Sequence, residues 1–164
     1  MPYLFPNVKF KGRYSRRDEV KLVVSWPEKK ENLMTDPIAD MLTQIRNALM
    51  RKHRGILLPH SNLKGELARI LKEENLIRDY TVVEETDKKK ALKIWLKYVG
   101  KEEPVINGLK RISKPGRRVY VGWDLVPLVK GGLGVSILST SKGLMTNKSS
   151  RAMKVGGELL CSIW

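Results

Sequence analysis

The chain has little that would tie it together covalently or hold it in a membrane. It has a single cysteine, Cys161, in 164 residues, so no disulfide can form within it. That cysteine sits in the apolar run Leu159-Leu160-Cys161, where it reads as a small buried hydrophobe rather than a reactive thiol. This usage fits a reducing compartment. No apolar run reaches the ~20 residues that span a bilayer, and no long basic amphipathic helix of the interfacial kind stands out. The first residues lack the apolar core of a secretory signal. Residues 1–33 carry eight Lys/Arg against four Asp/Glu, more acid than organellar leaders usually contain.

The chemistry of catalysis is also thin. The two histidines, His53 and His60, fall in or near loops with no second cysteine or clustered acid to complete a metal site. No Ser/His/Asp set or pair of carboxylates emerges. The glycines of Gly131-Gly132-Leu133-Gly134 precede a strand instead of linking a strand to a helix, and Ser141-Lys142-Gly143 reverses the order a phosphate-binding loop requires. Tight turns and close backbone approach explain these glycines better. The expectation is a non-enzymatic chain without cofactor, metal or small-molecule substrate.

Acid is scarce as well. There are 17 Asp plus Glu against 32 Lys plus Arg, a net charge of +15. So many like charges repel one another unless a polyanion neutralises them, and nucleic acid is the commonest such partner. The excess is uneven. Residues 105–164 hold ten Lys/Arg and two acids, whereas residues 35–104 hold fourteen and eleven. The C-terminal part is therefore the expected polyanion-binding surface.

The apolar pattern supplies the elements. Residues 1–33 read as a largely irregular extension with a short strand at Val20–Ser25. Asp36 suits a helix N-cap and Pro37 its first turn. Ile38, Met41, Leu42, Ile45 and Leu49 then form one stripe at helical period. Arg46, Arg51, Lys52 and Arg54 decorate the end of that helix and the following loop. A short strand is expected at Gly55–Leu58. Ser61 caps a second helix with stripe Leu63, Leu67, Ile70 and Leu71, closed by a left-handed Asn75. Ile77–Glu84 and Leu92–Val99 read as strands around a polar loop at Glu85–Lys90. Gly100–Asn107 reads as a linker.

Beyond it, Leu109–Ser113 and Arg117–Val121 flank Lys114-Pro115-Gly116 and read as a hairpin with a type II turn. Lys110, Arg111, Lys114, Arg117 and Arg118 crowd this segment. Tyr120, just after it, suits either core packing or stacking on an unpaired base. A strand at Val135–Leu138 leads to the polar turn Ser139–Gly143. Asn147–Lys154 reads as a short helix and Glu158–Trp164 as a final strand. The fold class is α+β in two small domains. The N-terminal one, residues 34–104, is α-β-α-β-β, and the C-terminal one, residues 105–164, is mainly β with a short helix.

On composition alone the turn Ser139-Thr140-Ser141-Lys142-Gly143 reads as an ordinary polar turn ahead of a binding loop, although its hydroxyls can donate to and accept from bases, sugars and phosphates.

Several stretches together resemble one family. They are Thr35–Thr43 (Thr-Asp-Pro-Ile-Ala-Asp-Met-Leu-Thr) with Ile45-Arg46-Asn47-Ala48, Lys72-Glu73-Glu74 before Leu76-Ile77, and Arg111–Gly116 with Arg118-Val119-Tyr120. Gly132-Leu133-Gly134, Ile137–Met145 and Val155–Cys161 complete the set. Over residues 35–164 the chain resembles the bacterial-type small-subunit ribosomal protein eight family. The resemblance implies direct binding to an irregular helix in the central domain of small-subunit ribosomal RNA, early in subunit assembly. The contact is implied to lie mainly in the C-terminal domain, through Ser139, Thr140 and Ser141, with Lys142, Gly143, Tyr120 and Glu158 beside them. The basic residues Lys110, Arg111, Lys114, Arg117 and Arg118, with Arg46 and Lys52, complete the candidate RNA-binding set. The resemblance also implies small-subunit proteins five and twelve as neighbours, repression of the chain's own operon messenger, and a place on the cytoplasmic bacterial ribosome, with an organellar ribosome as the alternative.

Three departures from the family pattern stand out. Asn147-Lys148-Ser149-Ser150 replaces Asp-Arg-Glu-Ala, Ser162 stands where an aromatic is common, and residues 1–33 have no counterpart, Met34 falling where the family starts.

Overall fold

A computed structural model describes residues 36–84, 90–100 and 102–164. The extension and most of the polar loop expected at Glu85–Lys90 therefore lie outside the described residues.

Helix α1 spans Pro37–Met50. Asp36 caps it by accepting hydrogen bonds from the amides of Ile38 and Ala39, each at 3.1 Å. Its stripe of Ile38, Met41, Leu42, Ile45, Ala48 and Leu49 is buried, and each large side chain contributes roughly 1.5–3 kcal/mol by leaving water. Strand β1 follows at Gly55–Pro59 and α2 at Asn62–Glu73. Ser61 caps α2 through the Lys64 amide at 3.2 Å. Asn75, with a φ of 58°, turns the chain back, and the Leu76 amide donates to the Leu71 carbonyl.

Strands β2 (Ile77–Glu84) and β3 (Lys90–Leu96) complete an antiparallel sheet ordered β1-β3-β2. Leu92, Ile94 and Leu96 alternate inward toward the helices. The long strand expected at Leu92–Val99 is interrupted. β3 stops at Leu96, and Tyr98–Val99 (β4) pairs instead with Glu103–Pro104 (β5), inside the expected linker.

The second sheet is ordered β6-β10-β8-β9, from Leu109–Arg111 (β6), Gly157–Ile163 (β10), Val135–Thr140 (β8) and Gly143–Thr146 (β9). Strand β7, Tyr120–Val121, also pairs with β10. Helix α3, Asn147–Met153, joins β9 to β10 and ends on a left-handed Lys154. The expected basic hairpin is thus only a turn. Lys114 and Arg117 bond to each other through both backbone amides at 2.9 Å, but the arms beyond them pair with β10, not with each other. Gly116 is not among the positive-φ glycines, so the turn is not type II.

The two sheets share one buried cluster. Leu109, Val135, Ile137, Leu160, Cys161 and Ile163 pack into the same core as the stripes of α1 and α2. A second cluster of Val126, Leu138 and Leu159 lies on the other face of the second sheet, beneath the irregular segment 122–133.

A candidate nucleic-acid interface on the C-terminal sheet

The register of the second sheet sets three candidate residues side by side. Glu158 in β10 lies opposite Tyr120 in β7 on one side and Ser139 in β8 on the other. Directly opposed residues of antiparallel strands project from the same face, so the three form one row. Tyr120 is 71 % exposed, which resolves its reading as core against it.

Two glycines make this seating possible. A Cβ on Gly157 would fall 2.2 Å from the carbonyl oxygen of Ser139, and one on Gly156 would fall 2.6 Å from that of Val121. Only a residue without a side chain lets β10 begin between β7 and β8 this closely.

Past Ser139 the chain turns through Ser141 and Lys142, and Gly143 adopts a φ of 98° that favours glycine. The hydroxyl of Thr140 shapes this turn. It donates to the Gly143 carbonyl at 2.9 Å and accepts from the Lys142 amide at 3.1 Å. Ser141, Lys142 and Gly143 are exposed at the tip. Of the hydroxyls, Thr140 holds the loop and Ser141 is presented by it.

Glu158 is mostly enclosed, its side chain 16 % exposed. Its carboxylate accepts from the wholly buried Ser113 hydroxyl and from Arg118 at 2.8 Å. Ser113 in turn accepts from the Val119 amide at 3.3 Å. Burial pushes the Glu158 carboxyl upward, but the bonds from Ser113 and Arg118 outweigh it and the net direction is down. The same contact raises the Arg118 guanidinium, so the pair stays charged on both sides. Arg118 is thereby held in place while still half exposed. Lys114 and Arg117 occupy the adjoining turn, both exposed.

The remaining cations lie elsewhere. Arg111 turns inward, its guanidinium meeting the Asp36 carboxylate at 3.1 Å and the Leu160 carbonyl at 2.6 Å. Its neighbour Lys110 points to the opposite face of the sheet, exposed. Arg46 reaches from α1 to the Leu109 carbonyl at 2.5 Å. Lys52 is paired with Glu102 on the N-terminal half. The structure therefore gathers Tyr120, Glu158, Ser139, Thr140, Ser141, Lys142, Gly143 and Arg118, with Lys114 and Arg117 near by. Arg111 lies beneath them, its charge also helping to lower the Glu158 carboxyl, while Lys110, Arg46 and Lys52 stand apart.

Sequence reasoning missed Ser113 and the steric role of Gly156-Gly157. The available signal was a serine at the third of the alternating inward positions Leu109, Arg111 and Ser113. Of the departures at 147–150, Ser149 and Ser150 are bonded locally, Lys148 pairs with Glu74 at 3.8 Å, and the buried Asn147 side-chain oxygen finds no partner among the described residues. Thr146 caps α3 through the Ser149 amide at 3.3 Å, and Ser150 donates to the Val155 carbonyl at 2.6 Å. Ser162 faces Ser136 across the sheet with their hydroxyls 3.3 Å apart.

Residues 36–164 match the family described as ribosomal protein S8. The small ribosomal subunit protein uS8 of Geotalea uraniireducens is 56 % identical over 131 residues, covering 80 % of this chain and 98 % of that protein. The protein of the same name from Geobacter sulfurreducens is 56 % identical over an equal span, with the same coverage. That from Exiguobacterium is 58 % identical over 132 residues, covering 80 % of this chain and 99 % of that protein. With relatives this similar along nearly their whole length, and an α+β architecture in keeping with theirs, the chain belongs to the ribosomal protein S8 family, structural proteins of the small ribosomal subunit.

Proposed function

We propose that this chain binds the central domain of small-subunit ribosomal RNA directly, through the C-terminal face just described, and helps that RNA fold. One observation carries the reading: a hydroxyl-bearing turn, with Thr140 committed to its shape and Ser141 and Lys142 exposed, adjoins an exposed tyrosine and a carboxylate-held arginine.

Each part has a chemical role. Regular A-form RNA hides its base edges in a deep groove and displays sugar hydroxyls in a shallow one. A short rigid turn led by Ser141 can enter the shallow groove or meet a distorted base there, donating and accepting from one atom. Tyr120 offers a flat ring to an unpaired base, worth ~1–3 kcal/mol in single-strand binders. Arg118, oriented by Glu158, and the exposed Lys114, Arg117 and Lys142 neutralise phosphates and fix the register. Arg111 acts indirectly, tying α1 to the sheet. Arg46, Lys52 and Lys110 make peripheral phosphate contacts. Binding to the folded RNA and not to its unfolded forms stabilises the central domain by mass action.

In this reading residues 105–164 are the RNA-binding domain, residues 34–104 the supporting one, and small-subunit proteins five and twelve are neighbours. The chain works without cofactor or catalysis on the cytoplasmic bacterial ribosome, and the three relatives named above are bacterial. A messenger folded into a similar irregular helix would fit the same face, and repression of the chain's own operon follows from that.

Two measurements test the proposal. The full chain sediments with small subunits at moderate salt, and it binds a central-domain RNA fragment far more tightly than a scrambled RNA of equal length. A chain that stays out of small subunits, or binds both RNAs alike, overturns it.

A further inference from the structure

The first sheet has two faces, and the helices cover one of them. Among the described elements it is α1 and α2 that pack on this sheet, against Leu58, Leu92 and Ile94. Residues one place along each strand project to the other side. There the register sets Pro59, Ala91 and Val83 in one row and Leu57 beside Lys93 in the next, with Trp95 following. This outer face lacks the character of an ordinary wet surface. Ala91 is 3 % exposed, and Leu57, Pro59, Val83 and Trp95 are partly buried. Lys93 lies over the Trp95 ring at 4.8 Å, and burial pushes its ammonium down from the ordinary lysine value.

The chain's own sequence holds a segment of matching chemistry. In Val20-Lys21-Leu22-Val23-Val24-Ser25-Trp26, the residues Val20, Leu22, Val24 and Trp26 recur at the two-residue period of a strand, which gives an extended segment one wholly apolar side. Pro27 ends the run, and residues 27–35 are mostly polar. Those residues lead to Asp36, the cap of α1. One turn further on, Asp40 meets Lys64 of α2 at 3.2 Å, so this end of α1 lies beside the start of α2, shortly after Pro59. A tether of nine residues reaches up to ~30 Å. The way round from α1 to the outer face is a helix ~10 Å thick and three strands at ~4.8 Å spacing. The tether is therefore long enough, and short enough to hold the segment at an effective concentration of about a millimolar.

We infer that residues 20–26 of this chain dock on the outer face of its first sheet, their apolar side laid over Leu57, Ala91 and Trp95, as a third layer opposite the helices. Removal of apolar surface from water on both sides drives the contact. The aliphatic side chains of this face neither stack on bases nor bond to phosphate, and its lysine is turned onto Trp95, so RNA is a poor occupant. A separate protein would have to compete with a segment already present at about millimolar concentration. The docking is intramolecular and independent of RNA binding. It also fixes where residues 1–17, with five Lys/Arg and no Asp/Glu, leave the N-terminal domain.

The test uses the full chain and two single cysteines. The native Cys161 is buried and its thiol is pushed up to about 12, so it does not compete for thiol reagents at neutral pH. In the first arm Leu57→Cys reports access to the outer face. Its maleimide labelling should accelerate at least ~10-fold when Leu22→Ser, Val24→Ser and Trp26→Ser are added together, because a covered thiol reacts only after local opening. The helical circular dichroism should be unchanged by the three serines. In the second arm Val24→Cys carries a benzophenone–maleimide, and the purified monomer is photolysed. The expected product is an intramolecular crosslink to peptides of β1 or β3. Equal labelling of Leu57→Cys with and without the serines overturns the inference. So does protection that appears only when RNA is added, a crosslink to another part of the chain, or a crosslink between two copies. Where the serines abolish the helical signal, the crosslink alone decides.

Discussion

The buried hydroxyl of Ser113 donates to the carboxylate of Glu158, and through that carboxylate it fixes Arg118 on the surface. An acid within the proposed RNA-binding surface is thereby explained by what it holds. Replacing Ser113 with alanine removes both the donor to Glu158 and the acceptor for the Val119 amide. The expected cost is ~1–3 kcal/mol of folding stability, read from urea midpoints, since a buried polar partner is left unmet.

The same carboxylate makes stability depend on pH. Its folded value lies below its unfolded one, so its contribution is complete above the ordinary glutamate range and is lost as pH falls through the folded value. Urea midpoints of the native chain should therefore decline from pH 6 toward pH 3, on the order of the carboxyl range. Glu158→Gln should flatten part of that decline. An identical acid limb in the two proteins would show that the carboxylate is not so held.

The cations divide into two groups by what they touch. Lys114→Gln, Arg117→Gln and Lys142→Gln should each lower the salt dependence of RNA binding by roughly 0.7–0.9 in the log–log slope, with folding unchanged. Arg111→Met should behave in the opposite way. It breaks an enclosed ion pair whose side chains are 10 and 13 % exposed, at a cost on the order of 3 kcal/mol in stability. Its salt slope should stay near native. Salt titrations beside urea melts separate the groups.

Gly157→Ala tests the seating of β10. The added methyl meets the Ser139 carbonyl, so the strand must shift. A loss of roughly 1–3 kcal/mol in stability is expected, as for other overpacked sites. RNA binding should weaken with it, because Ser139 and the turn beyond it move. Native stability with native affinity would contradict the close approach.

Much of this was legible in the chain. Both long helices announced themselves by a cap and a stripe, Asp36-Pro37 before Ile38 and Ser61 before Leu63, because capping and 3.6-residue periodicity are local. The pairing of β6 and β7 was not legible. Lys114-Pro115-Gly116 is a local turn signal, yet the partner of both arms is β10, more than 35 residues further on. The shift in register between Leu159 and Cys161 also escaped, since Leu159, Leu160 and Cys161 are all apolar and buried, which leaves no alternation whose phase a bulge could displace. Within the candidate site, the hydroxyl turn was visible as composition. Its division of labour was not, because whether Thr140 or Ser141 faces outward depends on which of them closes the turn on Gly143.

The most direct measurement compares the native chain with Ser141→Ala on a central-domain RNA fragment and on a scrambled control. Loss of the exposed hydroxyl should weaken binding to the cognate RNA by ~1 kcal/mol or more, with the control unaffected and the melt unchanged. Equal cognate affinity in the two proteins, or the same weakening on both RNAs, would contradict recognition by this turn.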